Sequence, residues 1–195
     1  MEHSYRGMPR AASLERLVSD AKGGDERAWG EIVERYAGLV WAVARAHRLG
    51  DADAADVSQA TWVKLFRGLG SLQQPSALGA WLATTARREC LRCIRRSGRA
   101  ERWPDELEVA DDGPAVDAAL LASDRDALVL GALAGLADRD RALLRMLSAD
   151  PAPSYEEIGA ALHMPIGSIG PTRARALTRL QRKLEQLGTP AELLR

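Results

Sequence analysis

The chain is poor in the residues that build sheets. Of its 195 residues only 5% are aromatic, with a single Phe and three Tyr beside five Trp. Runs of Val, Ile, Tyr and Phe, which mark strands, are absent. Cysteine is scarce too: Cys90 and Cys93 are the only two, too few for a disulfide framework or a four-ligand zinc site. Three His leave little for acid–base chemistry or metal ligation, and no phosphate loop, zinc-protease His pair or nucleophile elbow occurs. The longest strongly apolar run, Ala127 to Ala137, is too short to span a bilayer, which needs about 20 residues. Met1 to Ala12 is polar, carries no apolar secretion core, and reads as a disordered tail. The expectation is a cytoplasmic protein without catalysis, metal or cofactor.

What is abundant is Ala, Leu and Arg, all strong helix formers. With 46% hydrophobic residues there is enough apolar mass for real cores, and the fold class expected is all-α. The formal net charge is zero, 27 basic against 27 acidic side chains, but the signs are segregated. Arginines cluster in two stretches, and acids cluster between them.

Periodicity gives a succession of helices. Leu14, Leu17, Val18 and Ala21 mark a short one. Asp25 caps a longer one with Trp29, Ile32, Val33, Tyr36 and Val40 on one face. A third opens near Asp51 and runs through Phe66; a loop follows from Gly68 to Pro75, and a fourth runs from about Ser76 to Arg96. Pro104, Asp105, Glu106, Glu108, Asp111, Asp112, Gly113, Pro114 and Asp117 then read as an acidic linker. Helical pattern resumes near Ala118 and continues to Leu133, then from Asp138 to Leu147, Tyr155 to His163, and Ser168 to Leu187. The expected organisation is a tail over 1–12, a helical domain over 13–100, a linker over 101–117 and a second helical domain over 118–188.

The C-terminal pair carries the first functional motif. Ser154-Tyr155-Glu156-Glu157 is a capping box, in which Ser154 accepts from the amide of Glu157 and Glu157 reaches back to the amide of Ser154. Pro165 and Gly167 force a tight turn, and Ser168 is the expected cap of the next helix. Two short helices joined by a tight turn form a helix-turn-helix. At about 100° per residue, Ile169, Ala176, Leu180, Leu184 and Leu187 share the core face, with Arg173 phased toward it. Arg175, Thr178 and Arg182 lie opposite, flanked by Thr172 and Arg179. Arg side chains of such a helix grip phosphates or read guanine edges in a major groove. The bland alternative is a helical hairpin with a solvated basic face.

The fourth helix divides similarly. Leu82, Ala83, Ala86, Cys90, Cys93 and Ile94 occupy one arc, which makes the cysteines buried thiols. Trp81, Thr85, Arg88, Arg92, Arg95 and Arg96 occupy the other. Arginines neutralise phosphates and an aromatic stacks on an unpaired base, which suits a strand with exposed bases. For Trp81, packing against a neighbouring helix is an equally good reading.

In order and spacing these segments resemble the extracytoplasmic-function sigma factors, the smallest members of the bacterial sigma-70 family. Asp53-Ala54-Ala55-Asp56-Val57-Ser58-Gln59-Ala60-Thr61-Trp62 is similar to the family's second conserved region, where it docks on polymerase. Ala80-Trp81-Leu82-Ala83-Thr84-Thr85-Ala86-Arg87-Arg88 looks like its promoter-melting, −10-reading helix, and Leu136 to Leu180 resembles the −35-reading fourth region. The resemblance implies region 2 and region 4 domains, core RNA polymerase and promoter DNA as partners, and an anti-sigma factor as a further candidate. It implies polymerase contacts at Asp56, Gln59 and Val63, and −10 contacts at Trp81, Thr85, Arg88, Arg92, Arg95 and Arg96. It implies −35 contacts at Ser168, Thr172, Arg173, Arg175, Thr178, Arg179 and Arg182, and a flipped −10 base held near Gly68 to Pro75. Ala60 stands where the family usually has an acid, Arg88 and Arg92 near its usual Asn and Asp, and Gly170-Pro171 in place of a common Lys-Ser pair. Two other classes remain: a helix-turn-helix regulator that binds its operator without polymerase, as a dimer on paired half-sites, and an enzyme acting on nucleic acid.

Overall fold

The computed structural model describes residues 13–97 and 124–187; the expected tail and acidic linker lie outside the described residues. Every regular element among the described residues is helical: α1 (Leu14–Lys22), α2 (Glu26–Ala46), α3 (Asp51–Gly68), α4 (Leu78–Arg96), α5 (Asp124–Ala134), α6 (Asp138–Leu147), α7 (Tyr155–Leu162) and α8 (Ile166–Gln186). Short 3-10 turns at Leu69–Ser71 and Pro75–Ala77 occupy the expected loop between α3 and α4.

Local chemistry explains the boundaries. Ser13 accepts from the amide of Arg16 at the start of α1, and Asp25 accepts from the amides of Arg27 and Ala28 at the start of α2. The capping box of α7 forms as expected, with Ser154 N–H donating to Glu157 at 2.7 Å and Glu157 N–H donating to Ser154 Oγ at 3.2 Å. One boundary differs. Helix α8 begins at Ile166 with Pro165 in the cap position, so Ser168 is its third residue, and the Ser168 hydroxyl donates to the Pro165 carbonyl at 2.7 Å. Pro165 already sits at φ −60°, ψ 134°, a conformation its ring favours, and the helix propagates from there. The earlier start leaves Pro171 well inside α8.

Helix α2 is the centre of the first bundle, with Ile32, Val40 and Val43 fully buried and packed against α1, α3 and α4. Burying three such side chains contributes on the order of 5–9 kcal/mol before entropy is counted. The second bundle, α5 to α8, closes around Leu136, Leu144 and Ala176. The two do not stand apart. Helix α7 packs on α4 and α6 packs on α2, so Leu143, Met146, Ile158 and Ala161 belong to the same apolar core as Leu82 and Ala86.

Candidate nucleic-acid interface

In the helix-turn-helix, the turn between α7 and α8 is made by His163, which closes α7 in the left-handed region at φ 53°. Gly159 permits the close crossing: a Cβ there would meet the Met164 carbonyl oxygen at 2.9 Å. Ile169, Thr172, Ala176 and Leu184 form the buried stripe of α8.

Three expectations for this helix change. Thr172 points inward, 8% exposed, and receives a hydrogen bond from Arg175 at 3.3 Å. Arg173, phased toward the core, is exposed, because Thr172 takes the inward position beside it on the Ile169–Thr172–Ala176 stripe. Leu187 is 49% exposed at the end of the helix, beyond the packed stripe. Arg173, Arg175, Thr178 and Arg182 are on the open surface, while Ser168 is half-buried near the turn. Arg179 has an internal partner: it donates to Asp140 of α6, a carboxylate only 4% exposed.

Helix α4 is gripped by α2, α3 and α7, which leaves a narrower free strip than its sequence suggests. All six residues of its expected apolar arc are buried, the two cysteines as free thiols. Burial pushes the Cys90 thiol up, so it is held protonated and inert. Thr85, expected on the basic arc, is also buried at 8%. Arg88, Arg95 and Arg96 are exposed. Arg92 is pinned along the strip by Glu89, at 3.1 and 3.2 Å to its two oxygens. Glu89 is itself 5% exposed and also takes the ammonium of Lys64 from α3. Burial makes Glu89 a buttress between α3 and the basic strip of α4.

Trp81 is half-buried. Its ring packs against the core, and one edge lines a cleft of about 310 Å³ with Leu65, Gly68, Leu72, Gln73 and Gln74. An aromatic wall beside polar Gln side chains in an open cleft has the chemistry to hold one planar, hydrogen-bonding ring.

On α3, Asp56, Gln59 and Val63 are exposed along one stripe. Phe66 continues that stripe three residues on and is 74% exposed. It meets Trp29 of α2 edge-on, centroids 5.6 Å apart, above a cleft of about 640 Å³ that Lys22, Asp25 and Glu26 also line. Sequence periodicity gave Phe66 no role. The signal available was its spacing from Val63. Among the described residues no helix is long and apolar enough to cross a membrane, and no cluster of three His, Cys, Asp or Glu could hold a metal ion.

Comparison with known proteins covers both bundles. Residues 32–100 match the family model for sigma-70 region 2. The ECF RNA polymerase sigma factor SigE of Mycolicibacterium smegmatis is 30% identical over 158 residues, 78% of this chain, and the chain spans 60% of that relative. The ECF RNA polymerase sigma-E factor of Haemophilus influenzae is 24% identical over 183 residues, 88% of this chain and 95% of the relative. Among solved structures, the sigma factor RpoE of Bartonella quintana, in complex with the anti-sigma factor NepR, superposes with a TM-score of 0.59 at 27% identity, covering 80% of this chain and 96% of that one. CnrH in complex with the cytosolic domain of CnrY, 22% identical with a TM-score of 0.60 over 89% of this chain and 99% of its own, agrees in fold. The α2–α4 bundle and the helix-turn-helix bundle are shared in fold with these two solved structures. Over most of its length the chain is similar to the extracytoplasmic-function (ECF) sigma factors, and the sigma-70 region 2 match covers residues 32–100.

Proposed function

We propose that this protein directs promoter-specific initiation by binding core RNA polymerase and gripping the −10 and −35 elements. The observation that carries the reading is the joint presence, in one chain, of a Trp-walled cleft beside a basic strip on α4 and of a basic helix-turn-helix on α8. The relatives' names support it.

In this mechanism the exposed stripe of α3, Asp56, Gln59 and Val63 with Phe66 added, docks on polymerase. Arg88, Arg92, Arg95 and Arg96 follow the backbone of the melted −10 strand. One base of that strand leaves the stack and enters the cleft between Trp81 and the 68–75 loop. Arg173, Arg175, Thr178 and Arg182 face the −35 duplex. Arg179, held by Asp140, fixes the angle of α8 against α6, and Thr85, Ser168 and Thr172 support the two helices from within. Joining two modest grips in one chain raises the effective concentration of the second contact.

The protein on this reading performs no catalysis, needs no cofactor, and acts in the cytoplasm where polymerase works. An anti-sigma factor is a further partner, supported by the 27%-identical neighbour solved with one. The operator-binding alternative is not favoured, since it leaves the region 2 match and the Trp81 cleft without a role. Run-off transcription with purified core polymerase on genomic DNA tests the proposal. Transcripts from a selected promoter set are expected; failure both to bind core and to redirect initiation would overturn it.

A further inference from the structure

A helix in a major groove reads bases through side chains that match their edges. Arg or Lys suits guanine, Asn or Gln suits adenine, Asp or Glu suits cytosine, and apolar surface suits the C5-methyl group of thymine. From Ile166 to Leu180, helix α8 carries no Asn, Gln, Asp, Glu or Lys. Its hydroxyl protons are already committed. Ser168 donates to the Pro165 carbonyl at 2.7 Å, Thr178 donates to the Ala174 carbonyl at 3.1 Å, and Thr172 is turned into the core. The remaining polar heads in this span are arginines. Arg179 is held by Asp140, and Arg175 donates to Thr172 at 3.3 Å.

At about 100° per residue, Gly167, Pro171, Ala174 and Thr178 stand directly opposite the buried Ile169–Thr172–Ala176 stripe, and all four are exposed. Ile166, 52% exposed, adds a branched apolar side chain at the leading end. Arg173 and Arg175 flank this line, about a quarter-turn to either side. A helix lying in the groove with Pro171 toward the floor therefore carries these two arginines toward the phosphate walls. Gly167 and Gly170 fit the same geometry. A Cβ at either would meet open space, so packing requires no glycine there, although glycine disfavours a helix. Their bare backbone lets the helix sink close to the base edges.

We propose that α8 reads its duplex by van der Waals contact with thymine methyl groups. Pro171 and Ala174, with Ile166 at the leading end, seat against thymine C5-methyls, while Arg173 and Arg175 hold the flanking phosphates. Thymine is the base whose distinguishing major-groove group is apolar, and an apolar reading face rewards that edge over the others. The Pro171 ring offers it three methylenes and no N–H. Arginine on a phosphate fixes register but carries no sequence information, so base preference falls to the apolar residues. That the duplex is a −35 element rests on the proposed function; the readout itself needs only a duplex.

The test removes methyl groups from the DNA and leaves the protein intact. A promoter found by run-off transcription supplies the −35 duplex. Each of its thymines, on either strand, is replaced in turn by deoxyuridine, which lacks only the C5-methyl. Affinity of the full chain with core polymerase should fall about fourfold at each contacted thymine, the worth of one buried methyl group. Exchanging a contacted T·A pair for C·G should weaken binding, and 5-methylcytosine at that position should recover part of the loss. Pro171→Ala restores the helical N–H that proline lacks and keeps α8 intact. It should bind more weakly and lose the deoxyuridine effect at one position, and Ala174→Gly should lose it at a neighbouring one. Full affinity with every thymine replaced would overturn the proposal. So would a deoxyuridine effect unchanged in both variants. The free full chain, on duplexes it selects from a random library, undergoes the same substitutions without polymerase. A methyl effect there, with no initiation alongside core, would remove the sigma reading and leave the readout. Failure to select any duplex, free or with core, would overturn both.

Discussion

Asp140 of α6, buried beneath the recognition helix, holds the guanidinium of Arg179 from α8. A residue expected among the DNA contacts is thereby tied into the scaffold beneath α8. Arg179→Ala leaves a buried carboxylate without this partner, which costs about 1–3 kcal/mol. Arg175→Ala and Arg182→Ala, at exposed positions, should change stability by less than about 0.5 kcal/mol. Each should lower the salt slope of −35 duplex binding by about one unit per lost phosphate contact. Urea denaturation and binding over a salt series separate the two behaviours; a stability loss shared equally by all three variants would refute the distinction.

Arg92 and Lys64 converge on Glu89. Arg92→Ala should impair promoter opening, read by permanganate reactivity of melted thymines, with core binding retained. Glu89→Ala releases both cations at once and should destabilise the bundle by about 1–3 kcal/mol. If Arg92→Ala lost core binding in step with opening, misfolding would be the better account.

Gly159 sits where the helix-turn-helix crosses most closely. Adding one methyl by Gly159→Ala forces it against a backbone carbonyl, which cannot swing aside as a side chain can. The expected cost is about 1–3 kcal/mol, visible as a lower urea midpoint, together with weaker −35 binding. An unchanged midpoint would mean the crossing relaxes freely.

Phe66 exposes most of its ring and contacts Trp29 only by its edge. Phe66→Ala should leave the urea midpoint nearly unchanged. Its affinity for core polymerase should fall by tenfold or more, as for a central aromatic anchor. Competition against a labelled reference sigma factor measures this; unaltered affinity would exclude Phe66 from the docking stripe.

His47 gives the protein an acid sensitivity. Burial lowers its pKa from 6.5 to about 4, the Ala161 carbonyl opposes the shift, and the nearby Arg87 cation of α4 adds to it. The unfolded chain takes up a proton below pH 6.5, whereas the folded chain resists until about pH 4. Stability from this group is therefore complete above pH 6.5 and lost as pH falls toward 4, a total of roughly 3 kcal/mol. His47→Gln should flatten the dependence of the urea midpoint between pH 6.5 and 4. A slope identical to that of the unaltered protein would assign the acid sensitivity to other groups.

Sequence periodicity reached most of this architecture because helices announce themselves locally. The capping box at Ser154 and Glu157, the Asp25 cap and the apolar arc of α4 are interactions within a few residues, and each forms as read. Where reading and structure part, the cause is a neighbour distant in sequence or, in α8, an earlier helix start. Thr85 is buried because α4 is gripped by three helices rather than by one side of a bundle. Thr172 turns inward, and Arg173 out, on a helix that starts at Ile166 rather than at Ser168. Phe66 gains its place only beside Trp29, 37 positions earlier in the chain.

By itself, then, the sequence determined the helices, their caps, the two basic faces and the likeness to sigma-70 region 2, since periodicity, capping chemistry and charge are written in short spans. Tertiary structure alone decided which arginines are bound to acids and which stand on the open surface. It also decided that Trp81 borders a cleft and that Ala161 of α7 closes over His47 of α2. Those outcomes depend on burial and on pairings up to 114 residues apart, which follow from how the helices pack and not from any local pattern.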